Sequence, residues 1–150
     1  MRIILASDHA GFDMKKELAL YIESLGHDIT DIGTYNNESV HYPVYGRRAA
    51  EMVASGEVDR AVLVCGTGIG MSLAANTVDG VRCLSCTEPY TALLSRRHNN
   101  TNALALGARV VGIELAKMIV DMWLKGDFES ERHGLRVDML TAMKNNNYVV

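Results

Sequence analysis

The sequence predicts an α/β fold, a five-stranded parallel sheet covered by helices on both faces in a three-layer αβα sandwich. Short runs at residues 2–6, 61–65 and 103–106 are apolar throughout apart from the leading Arg2, as strands buried on both faces are. Segments with helical apolar spacing lie between them, and Gly or Pro marks most of the crossings. With 150 residues, 48% of them hydrophobic, the expectation is one domain, 1–150, with one sizeable core.

The first strand, 2–6, ends at Ser-Asp-His-Ala-Gly, and Leu18, Tyr21, Ile22 and Leu25 then recur at helical spacing until Gly26. A second strand, 27–32, alternates in polarity. The polar stretch 34–41 leads through Pro43 into a helix carrying Ala49, Met52 and Val53. A strand at 61–65, a helix from about residue 70, a strand at 81–85 and a helix at 89–97 follow. Residues 103–106 form the fifth strand, 114–125 an apolar helix, and 132–144 an extra C-terminal helix with Val137, Leu140 and Met143 on one side. The common winding for such a sheet is 2-1-3-4-5, and ligands bind beyond the carboxyl ends of the strands where the winding reverses. Asp8 and His9, residues 65–70, and residues 107–109 are expected there.

A net charge of -3 argues against a broad nucleic-acid surface, and no apolar run reaches membrane-spanning length. Three cysteines and no signal-like start point to a reducing cytoplasm. The pair Cys83 and Cys86 reads as structural, because no second pair completes a zinc site and their spacing on or beside a strand turns them to opposite faces.

Cys65 opens CGTGIG, with Gly66, Gly68 and Gly70 at alternate positions. The loop matches neither a P-loop nor the dinucleotide fingerprint, and Met71 stands where a cysteine phosphatase needs arginine. Its amides suit an anion, and a thiol between a strand's end and a helix's start is favoured as thiolate. Cys65 is therefore a base, a nucleophile or a buried core thiol. His98, Asn99 and Asn102 are expected on the crevice side, with a cap or surface role as the alternative. Arg132 and Arg136 share a helix face and suit a phosphate, unless they pair with Glu129 and Glu131. Asp8 doubles as a candidate N-cap, and Tyr42 as a packed turn residue.

Together SDHAGF, HYP at 41–43, CGTGIGMS, TEPYTALLSRRHNNTNALALGARVVG and RHGLRVDML resemble type B ribose-5-phosphate isomerase, in order from residue 2 to about residue 143. The resemblance implies a Rossmann-like fold, a homodimer or homotetramer with active sites at subunit interfaces, and interconversion of ribose 5-phosphate and ribulose 5-phosphate through a cis-enediolate. It implies no metal and no organic cofactor. It assigns Cys65 as the base and Thr67 as a positioning or proton-relaying hydroxyl, and gives the amides of Gly66, Gly68, Ile69 and Gly70 to the enediolate oxygen. Asp8 and His98 match the ring-opening pair. His9, Arg109, Arg132, His133 and Arg136 match positions around the phosphate, and Tyr42 and Asn99 match contacts to the sugar. In the family His98 and Arg109 can serve a neighbouring subunit's Cys65. The competing readings are an allose- or galactose-6-phosphate isomerase, a cysteine hydrolase, and a non-catalytic phosphosugar-binding module with an inert thiol.

Overall fold

The computed structural model describes residues 1–144; residues 145–150 of the expected 1–150 domain lie outside the described residues. The strands are β1 (Arg2–Ser7), β2 (Asp28–Asp31), β3 (Arg60–Cys65), β4 (Cys83–Ser85) and β5 (Ala103–Gly107). The helices are α1 (Phe12–Ser24), α2 (Tyr42–Ala54), α3 (Ile69–Ala75), α4 (Pro89–Asn99), α5 (Ile113–Lys125) and α6 (Ser130–Lys144).

All strand pairs are parallel, as expected, but the order is β2-β1-β3-β5-β4 and not 2-1-3-4-5. Burial explains the correction. Every residue of β5 is buried, whereas the three residues of β4 are all half-buried. The longer, wholly apolar strand takes the interior and the short one becomes the edge. The fourth strand also begins two residues later than the sequence suggests, because Asn102 Oδ1 accepts the Arg82 N–H at 2.8 Å in place of a strand partner.

Alternation along the strands divides the interior in two. Ile3, Leu5, Val62, Val64, Leu104 and Leu106 pack with α1, α4 and α5, where Trp123 is fully enclosed and donates its indole N–H to Thr101 Oγ1 at 2.9 Å. Ile4, Ala6, Ala61, Leu63, Cys65, Ala103 and Ala105 face α2 and α3. Alanines dominate that second face, so its helices lie close to the sheet. Cys86 belongs to the first core and Cys83 borders the second, on opposite faces as expected. Burial pushes the Cys83 thiol up to about 12 and raises that of Cys86, in keeping with structural thiols.

Because β5 lies between β3 and β4, the connection leaving β3 has to pass over the end of β5. Gly68 makes the turn at φ +79 and caps α3. A Cβ on Gly107 would stand 2.7 Å from the Thr67 carbonyl carbon, so the crossing chain lies directly on β5. At the other end of the sheet α6 spans from the last turn of α4, against which it packs, to the end of α3, where Lys144 Nζ donates to Val78 O at 2.8 Å. Val137 of α6 is buried, while Leu140 and Met143 are exposed. None of the described helices is long and apolar enough to cross a membrane.

Candidate active site

Cys65 is the last residue of β3, aligned with Gly107 of β5, and is nearly enclosed. The Gly68 N–H donates to its Sγ at 3.1 Å. Ile69 N–H points to Thr67 Oγ1 at 3.4 Å, leaving the exposed Thr67 at the mouth of the turn. α3 has only seven residues, so local amides, more than a long helix dipole, set the polarity around the sulfur.

Three segments close around this turn. Arg109 of the same chain, its N–H bonded to Gly66 O at 3.0 Å, lies with its side chain 3.5 Å from where a Gly66 Cβ would stand. The Tyr42 ring, on the first residue of α2, comes within 2.9 Å of the corresponding point at Gly70. On the β1 side Asp8 is buried, and its Oδ1 accepts the N–H groups of Ala10 at 3.0 Å and Gly11 at 3.1 Å. Asp8 is thus an N-cap, of the short 3-10 turn His9–Gly11 that leads into α1 and not of α1 itself, with its second oxygen unpartnered among the described residues. The Val40 N–H points to His9 Nδ1 at 3.3 Å, which turns the ring's other nitrogen, Nε2, away from this bond.

The remaining candidates are elsewhere. α4 runs from the carboxyl end of β4 to the amino end of β5, so His98 and Asn99 in its last turn lie at the amino edge of the sheet. Arg82, just before β4, confirms the placement by donating to Asn99 O at 3.1 Å. The expectation that His98, Asn99 and Asn102 sit on the crevice side is corrected: a residue that precedes a parallel strand is at its amino end. Asn102 is a staple, bonding Arg82 N and, through Nδ2, Gly80 O at 2.9 Å.

His98 stacks on His133 of α6 with ring centroids 4.2 Å apart and planes within 8°. Asn99, Arg132 and Arg136 are exposed beside this pair, with Arg132 Nε 3.5 Å from His133 Nε2. The alternative that Glu129 neutralises these arginines is not what forms: Glu129 is held by Arg97, with Nε at 2.5 Å, and no ion pair of Arg132 or Arg136 occurs among the described residues. Burial first, then the charges of His98, Arg132 and Arg136, hold His133 below the ordinary histidine value of 6.5.

Ring nitrogens of His98 and His133 and a Glu129 oxygen fall within 4.8 Å of one another, a spacing that could suggest a metal. Parallel stacked rings send their lone pairs side by side instead of converging on one point, and three arginines surround the cluster. An anion fits these surroundings better than a cation.

Two residues that the sequence did not single out complete the geometry. Ser85, ending β4, has its Oγ 2.9 Å from where a Gly68 Cβ would be, beside the crossing turn. Lys15 is entirely buried beneath the β1 and β2 ends, bonded to Asp31 and Thr34. The first carried no motif of its own, only its place at the carboxyl end of a strand. The second was signalled by its position in the stripe Lys15, Leu18, Ile22, a lysine on the apolar face of a helix.

The family described as ribose/galactose isomerase matches residues 3–140 of the chain. The chain is 49% identical over 143 residues to ribose-5-phosphate isomerase B of Escherichia coli (strain K12), covering 95% of this chain and 96% of that protein. It superposes on the solved ribose-5-phosphate isomerase B of Clostridium thermocellum with a TM-score of 0.96 at 48% identity, over 97% of this chain and 99% of the other. Similarity extends to ribose-5-phosphate isomerase B from Mycoplasma genitalium with bound ribulose 5-phosphate, at a TM-score of 0.91 and 34% identity over 96% of each chain.

Proposed function

The chain belongs to the ribose/galactose isomerase family and is a sugar-phosphate isomerase, and from that premise we propose that it interconverts ribose 5-phosphate and ribulose 5-phosphate in a site built by two copies of itself. The observation that carries the reading is the amide-lined turn over Cys65 Sγ, a base position beside donors for a developing oxyanion.

Asp8 and His98 open the furanose, one giving a proton to the ring oxygen and the other taking the proton of the anomeric hydroxyl. The Cys65 sulfur then removes the proton on C2. The C–H electron pair forms the C1–C2 double bond and the carbonyl electrons move to O1, where the amides of Gly66, Gly68, Ile69 and Gly70 receive the charge. A proton passes from O2 to O1, with Thr67 as relay, and Cys65 returns its proton to C1. Tyr42 and Asn99 contact the sugar. His9, Arg109, Arg132, His133 and Arg136 hold the phosphate, positioning the reacting carbons by binding far from them. No metal or organic cofactor is required for these steps.

His98 and Cys65 stand at opposite edges of one chain's sheet, so a second copy must bring its amino edge to the first copy's Cys65. Uncovered apolar side chains flank both half-sites, Ile69 and Leu73 on α3 and Leu135 and Met139 on α6, and support a homodimer, alone or within a homotetramer. The reading is of a cytoplasmic enzyme with no nucleic-acid or membrane partner.

Complementation tests it. Cys65→Ala and His98→Asn chains should each lose about 10²- to 10⁴-fold in kcat on ribose 5-phosphate. Unfolded together and refolded at equal amounts, they should recover about a quarter of native activity, since half of random dimers hold one intact site. Absence of recovery sinks the shared site, a native rate in Cys65→Ala sinks the base assignment, and a higher kcat/KM for allose 6-phosphate sinks the pentose.

A further inference from the structure

We propose that Lys15 is a positioning residue that fixes Asp8 from beneath, acting through the segment at residues 31–34; the inference rests on the reading of Asp8 as a ring-opening group. Lysine is among the side chains least often fully enclosed, yet Lys15 has no exposed surface. Its ammonium pairs with Asp31 Oδ1 and donates to Thr34 O at 2.8 Å, and it lies 5.2 Å from the Tyr35 ring centroid. The same Asp31 oxygen accepts the Gly33 N–H at 2.8 Å. Lys15 and Asp31 thus grip both residues of the Gly33–Thr34 pair.

That pair is bonded on both sides to Ser7. Ser7 N–H donates to Gly33 O at 2.8 Å and Thr34 N–H donates to Ser7 O at 2.9 Å. Asp8 follows directly, its N–H bonded to Val64 O at 3.2 Å and its carboxylate pinned by Ala10 and Gly11. Beyond the Ile32 N–H bond to Leu5 O at 3.1 Å, the main chain entering Asp8 is therefore held from the β2 side, among the described residues, through contacts that Lys15 anchors. Stability alone is a weak account of this arrangement, because a buried ion pair is commonly matched by apolar groups of the same volume. Its geometric result is specific: it extends the β1–β2 contacts from the Leu5–Asp31 pair to Ser7, the residue before the carboxylate.

With Lys15 replaced by methionine, Thr34 O loses its donor and the Asp31 carboxylate, a third exposed, is free to turn to solvent. The Ser7 contacts loosen, and Asp8 shifts against a substrate held elsewhere. A displacement of about an ångström is worth up to about 10²-fold in rate.

The test is a mutant cycle on ribose 5-phosphate using Lys15→Met, Asp31→Asn, Asp8→Asn and the doubles Lys15→Met/Asp8→Asn and Asp31→Asn/Asp8→Asn, with thermal unfolding to check folding. Lys15→Met and Asp31→Asn should each lower kcat/KM by about 10- to 100-fold. Each double should be within about twofold of Asp8→Asn alone, because the support has nothing left to position. A merely structural lysine predicts the opposite, losses that multiply. Multiplying losses, or native rates in both supporting variants while Asp8→Asn is slow, overturn the positioning role and leave the ring-opening assignment standing. A native rate in Asp8→Asn overturns the assignment and the inference with it. If Lys15→Met does not fold, Asp31→Asn, equal in shape to the native side chain, carries the same cycle.

Discussion

At the carboxyl edge of the sheet the candidate site is made of main chain: the Gly68 amide on Cys65, the crossing turn pressed on Gly107, and Asp8 pinned by two N–H groups. At the amino edge it is made of side chains: a stacked histidine pair and arginines at the start of α6, beside a Glu129 already committed to Arg97. The first arrangement has little freedom and the second has many rotamers. Proton transfer next to a carbonyl needs donors already in place, whereas a phosphate several bonds away tolerates adjustment. The Cys65 turn and the α6 arginines differ in the way those two tasks differ.

The comparison breaks most sharply at Gly107. Gly107→Ala puts a methyl within 2.7 Å of Thr67 main chain, which has no flexible end to move aside. We expect about 1–3 kcal/mol of destabilisation and a fall in kcat/KM of about 10²-fold as the Cys65 turn shifts; thermal unfolding and steady-state rates measure both. A native kcat would show that the carboxyl edge is less rigid than its contacts indicate.

Arg132→Ala probes the other edge. Removing one exposed guanidinium that makes no ion pair among the described residues should raise KM by about 10- to 100-fold with kcat nearly unchanged. A matching loss in kcat would mean that Arg132 acts in a chemical step, as His98 is proposed to do, and not in binding alone.

The smallest effect belongs to His133. Its folded value is lowered, so between that value and 6.5 the unfolded chain binds the proton more readily. The contribution of the neutral ring to stability is therefore present above about pH 6.5 and is lost as pH falls through the folded value. Phosphate should favour the cation and move the titration upward. Resonances of the His133 ring followed against pH, with and without inorganic phosphate, read the shift; a titration indifferent to phosphate separates His133 from the anion.

Much of this division could be read from the chain. Apolar runs located the strands to within a residue or two, and the switch-point rule collected Asp8, Cys65 and Arg109 correctly at one edge. Neighbour choice was harder. Nothing local in CLS or ALALG names a strand's partner, and only their burial separates edge from centre. The position of His98 was readable but missed, since a side chain immediately upstream of a parallel strand belongs at its amino end. Lys15 differed from Lys16 only in phase with Leu18 and Ile22, a signal that becomes informative once the helix is known to lie on the sheet.

Trp123 is the chain's one tryptophan, enclosed near the end of α5 with its indole on Thr101 and its carbonyl accepting from Arg60 at 3.4 Å. Thr101 also accepts from Arg96 through its main-chain oxygen, and Arg96 is three residues from the end of α4. The protein thereby carries an intrinsic chromophore wired to the edge at which the proposed shared site would receive a second copy. Its ultraviolet emission is a label-free gauge of that edge, reporting from a place where no dye has to be attached.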